Sequence, residues 1–238
     1  MNFFYDLHLH SCLSPCGDQD MTPYNLVHMA QLLGYDLIAL TDHNTTRNCR
    51  AALEVGKASG MTVIPGMELC TAEEIHMICL FEALESAEQF GAFVRERIPP
   101  VSNRPEVFGA QLLMDAEDRV LGEEELLLVT ASSISIEDLP DLMPAYGGIC
   151  YPAHIDRASY SIISSLGVFP EHLCFSAAEI SPLGNRQKLI EQHPVLNQLR
   201  LITSSDAHHL EHMPDPTHQI ALDELSAACL IRTLRQTV

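Results

Sequence analysis

Short apolar runs of strand length alternate along this chain with longer stretches in which apolar residues recur at helical spacing. Residues 3–9 read as a strand. Thr22 can cap a helix that has Pro23 at its first position; Leu26, Met29, Ala30 and Leu33 then repeat on one face until Gly34 stops it. Residues 36–41 form a second apolar run, residues 47–58 a second helix closed by Gly60, and residues 61–67 and 75–81 two further strands.

Residues 83–147 follow a different pattern. A helix is expected over residues 86–98, ended by Pro99-Pro100. Gln111-Leu112-Leu113-Met114 and Arg119-Val120-Leu121, separated by four polar or small residues, suggest a hairpin. Ser135-Ile136-Glu137-Asp138 has the form of a capping box and opens another helix. The segment lacks the Gly/Ser-rich composition of a linker, so it reads as an insertion within one domain, between the fourth and fifth strands. Strands resume at residues 148–152, 177–181 and 200–204. Seven mostly parallel strands joined by helices predict an α/β fold, either a barrel or an open doubly wound sheet.

Composition narrows the picture. With 238 residues and 47% apolar side chains, the chain can bury one substantial core. Its 32 acidic residues against 13 Lys and Arg leave a formal charge of -19, which speaks against a broad grip on nucleic acid. A small anionic substrate fits better, provided that bound cations supply positive charge locally. Cys12 and Cys16 are three residues apart, not the usual two of a zinc ribbon, and other cysteines sit inside apolar runs as small buried thiols. No secretory signal or membrane-length apolar stretch is present, so a cytoplasmic protein with reduced thiols and no membrane partner is expected.

The informative residues stand at strand boundaries. His8 and His10 end the first strand, with side chains two apart on one side. Asp42-His43 end the second, Glu68 the third, His154 the fifth, and Asp206 and His208 the seventh. In a parallel barrel these ends share one face. His76, at the start of the fourth strand, joins them only if that strand runs antiparallel. Imidazoles with carboxylates are the ligand set of hydrolytic zinc, manganese and iron sites. The remaining histidines (His28, His172, His193, His209, His212 and His218) read as ordinary core or surface residues.

Asp6-Leu7-His8-Leu9-His10, Thr41-Asp42-His43, Pro65-Gly66-Met67-Glu68, Pro152-Ala153-His154 and Ser205-Asp206-Ala207-His208 resemble, in order, the motifs of the polymerase and histidinol phosphatase (PHP) superfamily. The resemblance implies a distorted seven-stranded (β/α)7 barrel, TIM-like, with phosphoesterase activity and two or three divalent ions (Zn, Mn or Fe). By position it implies one ion held by His8, His10, Asp206 and a bridging Glu68, a second by Glu68, His76 and His154, and a third by His43, His208 and one further residue. Asp18 is favoured for that place by its distance from Thr22-Pro23, while counting from His10 favours Cys16. Asp6 and Asp42 are expected to orient ligating imidazoles. Water whose pKa the cations have lowered would attack phosphorus in line. His43, His208 and Asp206 are the candidate catalytic groups, with either imidazole able to protonate the leaving oxygen.

Basic residues are scarce, so those near the ligand face matter. Arg157, three residues after His154, is the first candidate phosphate clamp and Arg104 the second, with Arg186 weaker. The function expected is hydrolysis of a phosphate mono- or diester of a small molecule or nucleotide. Histidinol phosphatase is a second reading, and a catalytically silent metal-binding module a third.

Overall fold

A computed structural model describes residues 1–237. The chain opens with β1 (Asn2–Leu9), α1 (Pro23–Leu33), β2 (Leu37–Leu40), α2 (Cys49–Ser59), β3 (Thr62–Cys70), β4 (His76–Phe81) and α3 (Leu84–Arg95). Thr22 caps α1 by accepting from the Asn25 N–H, and Gly34 ends it in the left-handed region. The hairpin strands β5 (Leu112–Met114) and β6 (Val120–Glu123) follow, then β7 (Gly148–Pro152), β8 (Ala177–Glu179), β9 (Arg200–Ile202), β10 (Gln219–Ala221) and a last helix, Ala227–Leu234.

The ladders do not build the expected seven-stranded barrel. One six-stranded sheet runs β10-β1-β2-β3-β4-β7, and β8–β9 form a separate parallel pair. The sheet curls, and β8–β9 lie across its opening. The Ile155 N–H donates to the Glu179 carbonyl on one side, and on the other the Asp206 N–H donates to the His8 carbonyl. With three residues each, β8 and β9 are too short for a longer ladder. Alternate residues of the strands, among them Leu7, Leu37, Ile64, Ile78, Tyr151, Ala177 and Ile202, form one apolar cluster with Leu230 and Ile231 of the last helix. A second cluster joins Leu9, Ile38 and Leu40 to α1 and α2. A third packs Met67, Met77 and Phe81 against Phe90 and Val94 of α3 and against Leu128, Ile134 and Leu139 of residues 84–146.

The sheet is also less parallel than expected. β1–β2 and β2–β3 are parallel, but β3–β4 and β4–β7 are antiparallel. This reversal settles the placing of His76. Cys70 pairs with His76 across β3–β4, so the start of β4 lies at the same end as Glu68. β3 leaves β2 after Pro65 and takes up β4 at Gly66. A Cβ at Gly66 would come within 2.9 Å of Thr41 Cγ2 and 3.0 Å of the Cys79 carbonyl, so glycine permits this close crossing. Among the described residues no helix is long and apolar enough to cross a membrane.

Candidate metal centre

Glu68 is the hub. Its carboxylate is buried and touches five imidazoles. Oε1 lies 3.2 Å from His8 Nε2, 2.8 Å from His76 Nδ1 and 3.1 Å from His154 Nε2. Oε2 lies 3.3 Å from His10 Nε2 and 2.9 Å from His43 Nδ1. Asp206 adds a second carboxylate, with Oδ1 3.1 Å from both His8 Nε2 and His10 Nε2. Backbone conformation contributes too. His154 and Asp206 both have positive φ, 27° and 55°, an uncommon state for non-glycine residues that turns their side chains inward here.

The tautomers follow from the other ring nitrogens. His8 Nδ1–H donates to Glu179, 2.9 and 3.2 Å from its two oxygens. His10 Nδ1–H donates to Ser14 Oγ at 2.9 Å, and Ser14 donates on to Asp42 at 2.7 Å. With both Nδ1 atoms protonated, the Nε2 lone pairs of His8 and His10 face each other at 3.1 Å. Two opposed lone pairs at that distance require a cation or a proton between them. The Nδ1 atoms of His43 and His76 and Oδ1 of Asp206 are buried without a hydrogen-bond partner, despite the short contacts to Glu68 and to the imidazoles. Close approach without hydrogen-bond geometry marks atoms converging on a common point. Three overlapping sets each bring one ligand atom per residue within 4.8 Å of one another: His8, His10, Glu68 and Asp206; His43, Glu68 and His76; and His10, His43 and His208. The donor set fits divalent metal.

Without metal, charge coupling replaces coordination. Burial favours the neutral ring of His8, but Asp206, Glu179 and Glu68 outweigh it and hold the ring well above the usual imidazole range. Burial likewise opposes charge on His43, and Glu68 pushes it up to about 9. His208 is different: burial and the neighbouring His10 bring it down to about 3. Burial alone would raise Glu68, yet the surrounding imidazoles hold it well below the carboxylate range. Such a basin of fixed anions and imidazoles is a poor place for protons alone and a good one for divalent ions.

Several expected residues stand elsewhere or act differently. Asp18 lies outside the three sets; its half-exposed carboxylate faces His209 Nδ1 at 3.6 Å, and only its N–H, donating to the His208 carbonyl, touches the centre. Cys16 is exposed and belongs to none of the three sets. Arg157 reaches the centre, Nη1 lying 2.5 Å from Asp206 Oδ2. Arg104 stays exposed with its guanidinium over the Phe108 ring, and Arg186 is exposed at the start of a later helix. Asp6 accepts from the His8 and Ser205 N–H groups, so it ties backbone segments together and does not hold an imidazole. Asp42 works at one remove, through Ser14. Sequence reading missed Glu179 and Ser14. A lone acid inside the apolar run Ala177-Ala178-Glu179-Ile180 was the available signal for Glu179.

Residues 6–156, more than half of the chain, match the PHP domain family. The chain belongs to that family. At this level it is a metal-dependent hydrolase of phosphoester bonds. The PHP chain is 42% identical over 76 residues to the 5'-3' exoribonuclease Rnm of Salmonella typhimurium, a match covering 31% of this chain and only a quarter of that protein's length. Its fold resembles the lesion-specific endonuclease Q of Pyrococcus furiosus, with a TM-score of 0.70 at 14% identity over all of this chain and 58% of that one. It also resembles a protein of Bifidobacterium adolescentis described as a metal-dependent phosphoesterase, with a TM-score of 0.61 at 17% identity over 98% and 96% of the two chains.

These likenesses correct one expectation. A small phosphorylated partner to the exclusion of duplex nucleic acid was inferred from the charge of -19. Yet the same fold occurs in endonuclease Q bound to a 27-mer duplex, and three of the sequence relatives are 5'-3' exoribonucleases. Net charge sums over the whole surface, whereas a phosphate backbone responds to charge within about a Debye length of where it lies. At a metal centre that local charge is set by the bound ions.

Proposed function

We propose that this PHP chain hydrolyses phosphodiester bonds of nucleic acid, removing nucleotides from the 5′ end of RNA. The observation that carries the chemistry is the single buried carboxylate, Glu68, shared among five imidazoles. The sequence likeness to 5'-3' exoribonucleases favours the substrate class.

Divalent ions bound by these ligands supply Lewis acidity at the phosphoryl oxygens and lower the pKa of water. The chain's own residues then do the following. Glu179 and the Ser14–Asp42 pair keep the Nε2 atoms of His8 and His10 turned into the centre. Arg157 exchanges its contact with Asp206 for a non-bridging phosphate oxygen, which a planar guanidinium can grip through two N–H groups. Of the two candidate imidazoles, His43, pushed up to about 9, holds a proton at neutral pH and can pass it to the leaving oxygen, whereas His208, brought down to about 3, is neutral there. Asp206 Oδ1 lies 3.1 Å from Nε2 of both His8 and His10.

The test uses protein loaded with Mn or Zn and 3′-labelled single-stranded RNA and DNA oligonucleotides. Stepwise shortening with release of mononucleotides is expected, RNA faster than DNA. Failure to cleave any oligonucleotide with either metal, in protein shown to contain the ions, would overturn the reading.

A further inference from the structure

The loop after His154 carries, besides Arg157, an aromatic ring that the chemistry so far leaves unused. Tyr160 stacks on His76, ring centroids 4.7 Å apart and planes 25° from parallel. It is 46% exposed, so part of the ring faces solvent. Its backbone has φ of 53°, a true outlier for a bulky side chain. The loop is built to hold that conformation. The Arg157 N–H donates to the His154 carbonyl, Ser161 Oγ donates to the Arg157 carbonyl at 2.7 Å, and the Tyr160 carbonyl accepts from the His76 N–H at 3.0 Å. Ser161 then caps the helix Ile162–Leu166 through the Ser164 N–H. One rigid turn therefore places a cationic fork against Asp206 and an aromatic face over His76, on two residues that both belong to the metal centre.

We propose that Tyr160 is a stacking platform for the nucleobase of the nucleotide being removed, while Arg157 holds its phosphate. The inference rests on the nucleic-acid reading above. One face of the ring is occupied by His76, and the exposed remainder offers a π surface to a planar ligand. Stacking accepts any base, which suits an enzyme that must process successive nucleotides regardless of sequence. Tyr160 would thus set how strongly a base-bearing end is preferred over one that lacks its base, without entering the bond-breaking step.

The experiment compares kcat/KM on an RNA oligonucleotide with an intact terminal nucleotide and on the same oligonucleotide with an abasic terminal nucleotide, using metal-loaded protein. Wild type is expected to prefer the intact end by roughly ten- to a hundredfold. In Tyr160→Ala and Tyr160→Leu the ratio should fall to within about threefold of one, mainly through KM, whereas Tyr160→Phe should keep it. Leucine still covers His76, so metal content per chain, measured alongside, should equal that of wild type in the Leu variant. A Leu variant that keeps the wild-type ratio would overturn the platform, as would a wild-type ratio already near one. Wild type that cleaves neither oligonucleotide would instead sink the nucleic-acid reading, and the platform with it.

Discussion

Glu179 gives the sharpest handle on how this centre is built, because it touches a ligand without being one. It is 1% exposed, takes the Nδ1–H of His8 at 2.9 Å and accepts the His154 N–H at 3.1 Å. Both donors reach the same oxygen, Oε1, so a Gln that keeps its carbonyl there sets its amide N–H in the place of Oε2, 3.2 Å from the His8 Nδ1–H, and leaves that buried amide N–H unpaired. One unpaired buried donor costs about 1–3 kcal/mol of apo-protein stability, and Glu179→Ala, which orphans both, about twice that. The larger consequence concerns the metal. Removing a carboxylate that orients a ligating imidazole typically lowers affinity about 10- to 100-fold. Strand position should survive, since the Ile155 N–H donates to the backbone carbonyl of Glu179 in every variant. Competition titration of Zn against a chromophoric chelator reads affinity, and urea melts of the apo-protein read stability. Glu179→Gln binding Zn within twofold of wild type would show that packing alone orients His8 and would refute this account.

Other outcomes follow from the same geometry. Glu68→Gln should lower bound metal by at least one ion per chain by elemental analysis and bring phosphodiesterase activity to background, since both oxygens of Glu68 are engaged. Arg157→Ala should raise KM for oligonucleotides by about tenfold with a smaller change in kcat, and Arg157→Lys should restore only part of this, because an ammonium is a point charge and not a fork; steady-state kinetics decides. Away from the centre, burial would raise Glu124, but Arg95, the Leu126 N–H and Arg47 outweigh it and hold its carboxyl below the usual range. A carboxyl lowered on folding stabilises the protein above its unfolded pKa, and this contribution disappears as pH falls through the folded one. Glu124→Gln should therefore melt lower than wild type, by about 1–2 kcal/mol, above about pH 5, and the gap should close under more acid conditions in melting curves taken across pH.

Much of the centre could be read before the structure because metal ligands must cluster at strand boundaries, and strands announce themselves by apolar runs. His8, His10, Asp206 and Glu68, the set that the family resemblance implied, have ligand atoms within 4.8 Å of one another. What escaped was direction and depth. An apolar strand such as residues 75–81 looks the same read parallel or antiparallel, so the pairing of His76 with Cys70 was visible only as a puzzle about strand ends. The barrel was over-read for a related reason: residues 177–181 and 200–204 have the composition of strands, yet only three residues of each pair, and with each other. Ser14 and Glu179 were hidden because hydrogen bonding to a ligand leaves no periodic trace. Tyr160 was hidden because a strained backbone has no signature in residue type.

The overturned partner shows where composition misleads. The residues in contact at the centre, Glu68, Asp206, Glu179 and Arg157, carry a formal charge of −2 among them, counting three carboxylates and one guanidinium. Two divalent ions, with the ligating imidazoles neutral, bring that to +2, so the loaded centre is locally positive while the chain as a whole stays strongly acidic. The acidic surface and the anionic substrate are then compatible for a physical reason. Repulsion from distant carboxylates is screened over roughly 8 Å at physiological salt, and attraction at the buried centre is not. An acidic PHP chain needs no basic patch to act on a polyanion, provided that it grips one end of the strand and not its length. A terminal nucleotide offers one phosphate and one base, and the loop after His154 presents one guanidinium and one aromatic ring.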